Sequence, residues 1–431
     1  MHYYSTNNPS EIASFKEATI RGQAPDKGLY FPSRIPSIKK ELIENIESYS
    51  NEDIAYEVIK PYVSDTIPEN ELRLIVKETI NFPFPLIRLN EHIYSLELFH
   101  GPTLAFKDVG ARFMSRCLRY FVKGSDQKIT VLVATSGDTG GAVANGFYNV
   151  QGVEVVILYP SGKVSSIQEL QLTTLGSNIK AIEIDGTFDD CQNLVKQAFA
   201  DKELSSLKFL TSANSINVAR WLPQQFYYFF AWKQWKEKEN PPVFCVPSGN
   251  FGNICAGILA NASGLPVKHF IAACNENDVI SNYLNTQKYE PRKAVPTISN
   301  AMDVGNPSNF IRILEIFRHQ FSDLKTHLTS YTISDEQTTN TIRKVYNEFN
   351  YQLDPHGAVA YAAIEKYINS HITEKGILIE TAHPVKFYDT VEKILNKPVS
   401  MPESVKGLLE KKKESVKMKP DYTEFKSYLS D

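Results

Sequence analysis

KITVLVATSGDTGGAV, residues 128 to 143, sets a run of aliphatic and β-branched residues directly against a Gly-rich polar turn. From Ile129 to Ala134 only Thr130 interrupts the apolar run. That pattern predicts a strand buried on both faces rather than one face. SGDTGG then supplies the turn chemistry that opens a helix. The same phrase recurs along the chain. VEVVILYP (153 to 160) is followed by a helix ending near Gly176. NIKAIEID (178 to 185) precedes the helical TFDDCQNLVKQAFADKEL (187 to 204). PVFCVPSG (242 to 249) precedes NICAGILANASG (253 to 264), whose Gly264 suits a left-handed C-cap. Upstream, HIYSLELF (92 to 99) reads as a strand before the helical DVGARFMSRCLRYF (108 to 121), with Val109, Phe113, Cys117, Tyr120 and Phe121 near one face. VKHFIAACN (267 to 275) and GILIETA (376 to 382) add two further short apolar strands. Near-continuous apolar strands alternating with helices imply parallel strands covered on both sides, an open α/β architecture. Sites in such sheets lie at the carboxyl ends of the strands.

With 431 residues, more than one core is expected. Residues 1–85 hold helical patterns (41 to 48, 51 to 62, 69 to 81) broken by turns such as Asp26-Lys27-Gly28, so a small helical amino-terminal domain is predicted. NFPFPLIRL, with Pro83 and Pro85, reads as a linker out of it. Residues 86–395 form the α/β region, in two subdomains of which the smaller covers roughly 100–240, and 396–431 form a charged helical tail. Within the tail, Lys411, Lys412 and Lys413 read as a solvated helix face.

A net charge of -3 without a basic block makes nucleic acid an unexpected partner. Five separated cysteines fit buried thiols in a reducing compartment. No leader pattern and no apolar run of membrane length is visible, so a cytoplasmic protein off the membrane is expected. His100, His356 and His383 share no ligand spacing, so no metal is expected. No GxSxG elbow points to a serine hydrolase. The aromatic run Phe226 to Phe230 with Trp232 and Trp235 reads as a helix in a core or at a subunit contact. Monomer and homodimer remain open.

Four polar or Gly-rich loops stand at strand ends: HGPTLAFK, TSGDTGG, PSGNFGN and TAHP. In PSGNFGN, Gly249 and Gly252 let backbone approach a ligand, and a helix opening near Asn253 offers free N–H groups to a phosphate. Alone, an isolated Gly-rich loop favours the reading as an ordinary tight βα turn. SGDTGG could hold a carboxylate or phosphate, or be a helix capped by Ser136 or Asp138. Lys107 discriminates. Beside Ala105 and Phe106 its amine can be partly desolvated, which lowers its pKa and favours attack on an aldehyde. A cation at a helix start is otherwise electrostatically disfavoured. A reactive lysine, a phosphate cradle and a neutral partner for a ring nitrogen at Thr381 together point to pyridoxal phosphate.

HGPTLAFKD, TSGDTG, SANSIN, VPSGNFGN, SNAMDVGNPSN and ETAHPVKF, in this order, resemble the threonine synthases, fold-type-II pyridoxal-phosphate enzymes. YYSTN and GLYFP resemble the extra amino-terminal domain of the bacterial and fungal branch, while the last thirty or so residues carry nothing diagnostic. The resemblance implies two open, mostly parallel α/β domains plus the amino-terminal one. It implies Lys107 as the Schiff-base lysine and catalytic group. Gly249, Asn250, Phe251, Gly252 and Asn253 would surround the cofactor phosphate, with Thr381 at the ring nitrogen. Ser136, Asp138, Thr139 and Gly140 would lie along cofactor and substrate carboxylate. Position 138 is asparagine in much of the wider fold type, and an ionised Asp138 cannot donate to a ring oxygen. Whether Asp108 tunes the Lys107 amine or caps the helix stays open. Asn214, Ser215 and Arg220 would bind the substrate phosphate. For Arg220 the guanidinium fork itself matches a phosphate, and the alternative is a surface arginine at a helix start. Lys163 is a second candidate cation. The implied activity is conversion of O-phospho-L-homoserine and water to L-threonine and phosphate. The alternatives are a phospholyase releasing a 2-oxo acid and a non-catalytic anion-binding protein of the same fold.

Overall fold

The computed structural model describes residues 1–63, 65–124 and 128–430; Asp431, the last residue of the expected tail, lies outside them. At the amino terminus β1 (Tyr3–Ser5), β2 (Ile12–Ala13) and β3 (Tyr30–Pro32) form an antiparallel sheet in the order β2-β1-β3. Further along the chain come β4 (Leu86–Arg88), β5 (Ile93–Glu97), β6 (Ile129–Ala134), β7 (Val153–Pro160), β8 (Ile179–Ile184) and β9 (Phe209–Ser212). They are followed by β10 (Val243–Pro247), β11 (His269–Cys274), β12 (Leu328–Thr332), β13 (Gly376–Glu380) and β14 (Val416–Met418). The smaller α/β sheet, β14-β8-β7-β6-β9, is parallel throughout. The larger, β12-β11-β10-β13-β5-β4, is parallel except for the edge pair β4 and β5.

Alternation within single strands shows why the runs contain almost no polar residue. In β6, Val131 and Val133 enter one core, while Leu132 and Ala134 enter another on the opposite face. In β10, Phe244 and Val246 face the first core, and Val243 and Cys245 a third one. Helices cover both faces of each sheet, so both sets of side chains are removed from water.

Four features differ from the sequence-based expectation. The amino-terminal segment has the anticipated helices Asn51–Val63 and Glu69–Thr79, but YYSTN and GLYFP also pair as β1 and β3, with Tyr3 opposite Pro32. LIR, expected in a linker, is the edge strand β4, where an antiparallel partner tolerates the preceding prolines. The carboxy-terminal segment is not all helix, because β14 adds to β8 and places Met418, Phe425 and Leu429 in the core of the smaller sheet. Lys411 to Lys413 follow the helix Glu403–Leu409 instead of lying on it, and Lys413 bonds Glu169 and Glu183 at 2.5 and 2.7 Å. The aromatic run forms the helix Gln225–Gln234, and Phe226 to Phe230 are buried within this chain. Among the described residues no helix is long and apolar enough to cross a membrane.

Candidate active site

The chain leaves β5 through HGPTLAF and enters the helix Lys107–Val122 at the lysine itself. Two features shape this loop. Leu104 adopts φ 57°, a left-handed conformation rare for a branched side chain. Asp108 turns back on the loop, accepting from the Thr103 amide (2.9 Å) and hydroxyl (2.5 Å). Asp108 therefore fastens the loop to the helix, and its carboxylate is occupied by Thr103. The loop is also laced to TAHP. Phe106 N–H donates to Thr381 O at 2.8 Å, His383 N–H donates to Leu104 O at 3.0 Å, and Ala105 bridges Ala382. Thr381, at the end of β13, thus lies one backbone step from Lys107, with 7% of its surface exposed.

The Lys107 side chain is 18% exposed, and its Nζ stands 3.9 Å from Asp138 Oδ2. Burial pulls the amine's pKa down. Asp138 and Asp354 oppose that shift, while Lys386 and Arg220 reinforce it. Asp138 opens the helix Asp138–Phe147 after β6. Burial alone would raise its pKa, but the Lys386 and Lys107 cations and hydrogen bonds from Lys386 and Gln168 hold it well below the usual carboxylate range. It is therefore ionised and an acceptor only. Its Oδ1 takes Gln168 Nε2 at 3.0 Å and Lys386 Nζ at 2.8 Å. The turn before it requires Gly137, at φ 142°, since a Cβ there would lie 2.5 Å from the Gln168 amide carbon. Ser136 and Thr139 are partly exposed. Gly140 is packed closely, and its amide is taken by Thr135 Oγ1 at 2.9 Å.

Across the site, β10 ends in SGNF and the helix Gly252–Ala262 begins. Phe251 adopts φ 59°, and Cys255 is the first amide to bond back, to Phe251 O at 3.1 Å. The amides of Gly252, Asn253 and Ile254 accordingly face out of the helix end. Buried Asn253 receives Tyr228 OH on Oδ1 at 2.6 Å, while its Nδ2 has no partner among the described residues. Gly249 lies against the segment after Ser299, where a Cβ would come 2.6 Å from Met302 Cα. That segment is fixed from below. Ala301 N–H donates to His356 Nε2 (3.2 Å), and His356 Nδ1 bonds Asp354 (2.5 Å).

NSINVAR joins the two halves. Asn250 Nδ2 donates to Ser215 Oγ at 2.7 Å, and Asn309 Nδ2 reaches the same oxygen at 3.4 Å. Asn214 Oδ1 and Arg220 Nε are buried without partners among the described residues. Arg220 is no surface residue: it is 3% exposed, burial lowers its pKa to about 10, and one terminal nitrogen is spent on Ala213 O. Lys163 is exposed at the turn after β7.

The structure thus brings together Lys107, Asp138 and Thr381 on one side and Gly249 to Asn253 with Ser215 on the other. Sequence reasoning missed Lys386, Gln168, Asn309 and Arg312. Lys386 was findable by the logic applied to Lys107, being a lysine between Val385 and Phe387 just after a Pro turn. Pyridoxal phosphate fits this donor set: a desolvated amine, an uncapped helix start with the unpartnered amide of Asn253 for a phosphate, and a neutral hydroxyl at Thr381.

Comparison with known proteins agrees. A family model for "Pyridoxal-phosphate dependent enzyme" matches residues 79–380. "Threonine synthase N terminus" matches 2–80, and "Threonine synthase, C-terminal" matches 357–429, reaching into the segment whose sequence carried no diagnostic motif. Threonine synthase from Haemophilus influenzae is 43% identical over 430 residues, 100% of this chain and 99% of the relative. The crystal structure of threonine synthase from Escherichia coli has a TM-score of 0.93 at 41% identity, covering 100% of this chain and 99% of that one. The pyridoxal-phosphate-bound threonine synthase from Brucella melitensis gives 0.93 at 33% identity, with coverage of 100% and 99%. Fold and site define a pyridoxal-phosphate-dependent lyase of fold type II. Within that class the resemblance extends through the amino- and carboxy-terminal segments as well as the catalytic region. The chain belongs to the threonine synthase family, enzymes of amino-acid biosynthesis.

Proposed function

We propose that this site converts O-phospho-L-homoserine and water to L-threonine and phosphate, with Lys107 holding the cofactor and moving the protons. The observation that carries this reading is the Lys107 amine itself: desolvated, with its pKa lowered, and 3.9 Å from an ionised carboxylate. Pyridoxal phosphate, when bound, supplies a sink for the charge left at the substrate α carbon. Gly249, Asn250, Phe251, Gly252 and Asn253 would receive its phosphate, through the open helix end and Asn253 Nδ2. Thr381 would face its ring nitrogen with a hydroxyl, which carries no charge to hold a proton there. Lys107 Nζ would take the α proton, serve the β carbon in the same way, and return protons as phosphate departs from the γ carbon and water adds at the β carbon.

Arg220, Asn214 and Ser215 would bind the substrate phosphate. A buried guanidinium with an unpartnered Nε favours an anionic ligand, and the Asn214 amide can turn to present donors. Asp138 is assigned to orient cations, since it cannot donate. Ser136 and Thr139 hydroxyls are left for the substrate carboxylate, beside a Gly140 whose amide is already engaged. The work divides over residues 1–85, 86–395 and 396–431, the last segment completing the smaller sheet.

The test supplies the pyridoxal-phosphate-loaded protein with O-phospho-L-homoserine and identifies both products. Threonine with equimolar phosphate is expected. 2-Oxobutyrate would transfer the site to the phospholyase reading, and absence of phosphate release would refute the proposal. Lys107→Ala should lose both turnover and the absorbance of lysine-bound cofactor.

A further inference from the structure

Lys386 is a fully buried cation at the site. It lies on the short turn Pro384–Phe387, after the strand end that carries Thr381. Its side chain is 0% exposed, and its three donor positions are all used: Thr103 O at 2.8 Å, Gln171 Oε1 at 2.9 Å and Asp138 Oδ1 at 2.8 Å. With no proton left to offer, it is not built to bind a ligand directly. Its effect has to pass through what it holds. Thr103 belongs to the loop that delivers Lys107, and Asp138 is the carboxylate nearest the Lys107 amine. The carboxylate is divided between two ammonium groups on its two oxygens. Lys386 takes the near one at full hydrogen-bond distance, and Lys107 is left at 3.9 Å from the other.

We infer that Lys386 is a positioning residue: by occupying Asp138 it denies Lys107 a close ion pair and keeps the Lys107 amine available as a nucleophile and base. This inference rests on the reading of Lys107 as the cofactor lysine. The division of the carboxylate is nevertheless a property of the protein alone. An amine locked in a direct buried pair with Asp138 would hold its proton more firmly, whereas a second cation beside it weakens that hold. The charged groups facing Lys107 are Asp138 from its helix, Lys386 from the turn after β13, Arg220 from the helix Val218–Trp221 and Asp354 from the start of the helix Pro355–Ser370. Of the two cations, Lys386 is the one that also binds the carboxylate.

The test is competitive acetylation of amines in the apoprotein across pH, with the Lys107 peptide read by mass spectrometry. Only the uncharged amine reacts. Lys386→Met leaves Asp138 to Lys107, and Lys107 labelling at neutral pH should slow by about tenfold, its midpoint moving to higher pH. Asp138→Asn should do the opposite. The double variant Asp138→Asn with Lys386→Met should return close to the wild-type profile, a restoration that a merely structural role for Lys386 would not give. Lys386→Gln, which keeps a neutral hydrogen-bond donor beside Asp138, keeps the test decisive if Lys386→Met fails to fold, and its Lys107 labelling should likewise move to higher pH. Unchanged Lys107 profiles in folded variants would overturn the inference. Failure of the underlying reading is seen separately: borohydride reduction of loaded wild-type protein would then place no cofactor mass on Lys107, whatever the acetylation profiles show.

Discussion

Two acidic side chains flank the question of how Lys107 is tuned, and the structure separates them. Asp108, adjacent in sequence, spends both oxygens on Thr103, whereas Asp138, thirty-one positions on, faces the amine. Burial sets the amine below its ordinary 10.5, so the folded chain binds that proton less tightly than the unfolded chain does. Stability of the apoprotein then contains a term that rises with pH between the depressed value and 10.5. Below that interval the protonated lysine carries its full desolvation cost; above it both states are neutral and the cost is gone. Lys107→Met removes the group. The variant apoprotein should melt at a higher temperature than wild type at neutral pH, and the difference should close as pH climbs towards 10.5. Melting curves collected across that range check the sign. A constant difference, or a variant less stable at neutral pH, would mean that the lysine is not held as a poorly solvated cation.

Strand-and-helix rhythm was legible wherever burial on both faces left an unbroken apolar run, as in β6, β7, β10 and β13. It was not legible for β9 (FLTS) and β12 (LTSYT), whose residues, buried Leu328 apart, are polar or half-buried and whose strand character comes from the neighbour they pair with. The same holds for β14, three residues amid lysines that only an existing sheet edge makes into a strand. Site residues followed a parallel rule. Those in strand-end loops carried their own turn chemistry and were readable. Gln168 and Arg312 sit on helices and matter only through what folding brings near them, whereas Lys386 lies in a strand-end turn and only its partners were hidden. The closing segment offers a direct test of how far β14 and its helix belong to the smaller sheet. Phe425, on the helix Tyr422–Ser430, is fully buried among Ile182, Leu194 and Met418. Phe425→Ala should cost about 3–5 kcal/mol. Urea unfolding should show that loss at the midpoint, and a change under about 1 kcal/mol would mark the segment as loosely attached.

Arg312 ties three parts of the molecule at one point. Its guanidinium, 0% exposed, donates to Tyr30 O from β3 at 2.9 and 3.2 Å and to Ile216 O after β9 at 2.6 Å. It also donates to Asn309 Oδ1 at 2.8 Å. The plane lies over Trp221, 4.4 Å from the ring centroid, and burial lowers its pKa to about 10. Asn309 in turn contacts Ser215 and Asn250, the pair through which the NSIN segment meets the glycine-rich loop. The amino-terminal sheet is therefore tied to the site through this side chain, which gives that segment a physical reason to accompany the α/β region. Arg312→Leu keeps much of the packing volume but strands the Tyr30 and Ile216 carbonyls and frees Asn309. Stability should fall by about 3 kcal/mol. Because Ser215 and Asn250 lose their common brace, the KM for O-phospho-L-homoserine should rise by about tenfold, with a smaller change in kcat, as expected for lost ground-state binding. Steady-state kinetics together with urea unfolding separate the two effects. Destabilisation with KM unchanged would confine Arg312 to holding the fold, and a loss falling mainly on kcat would instead place its influence on the Lys107 side of the site.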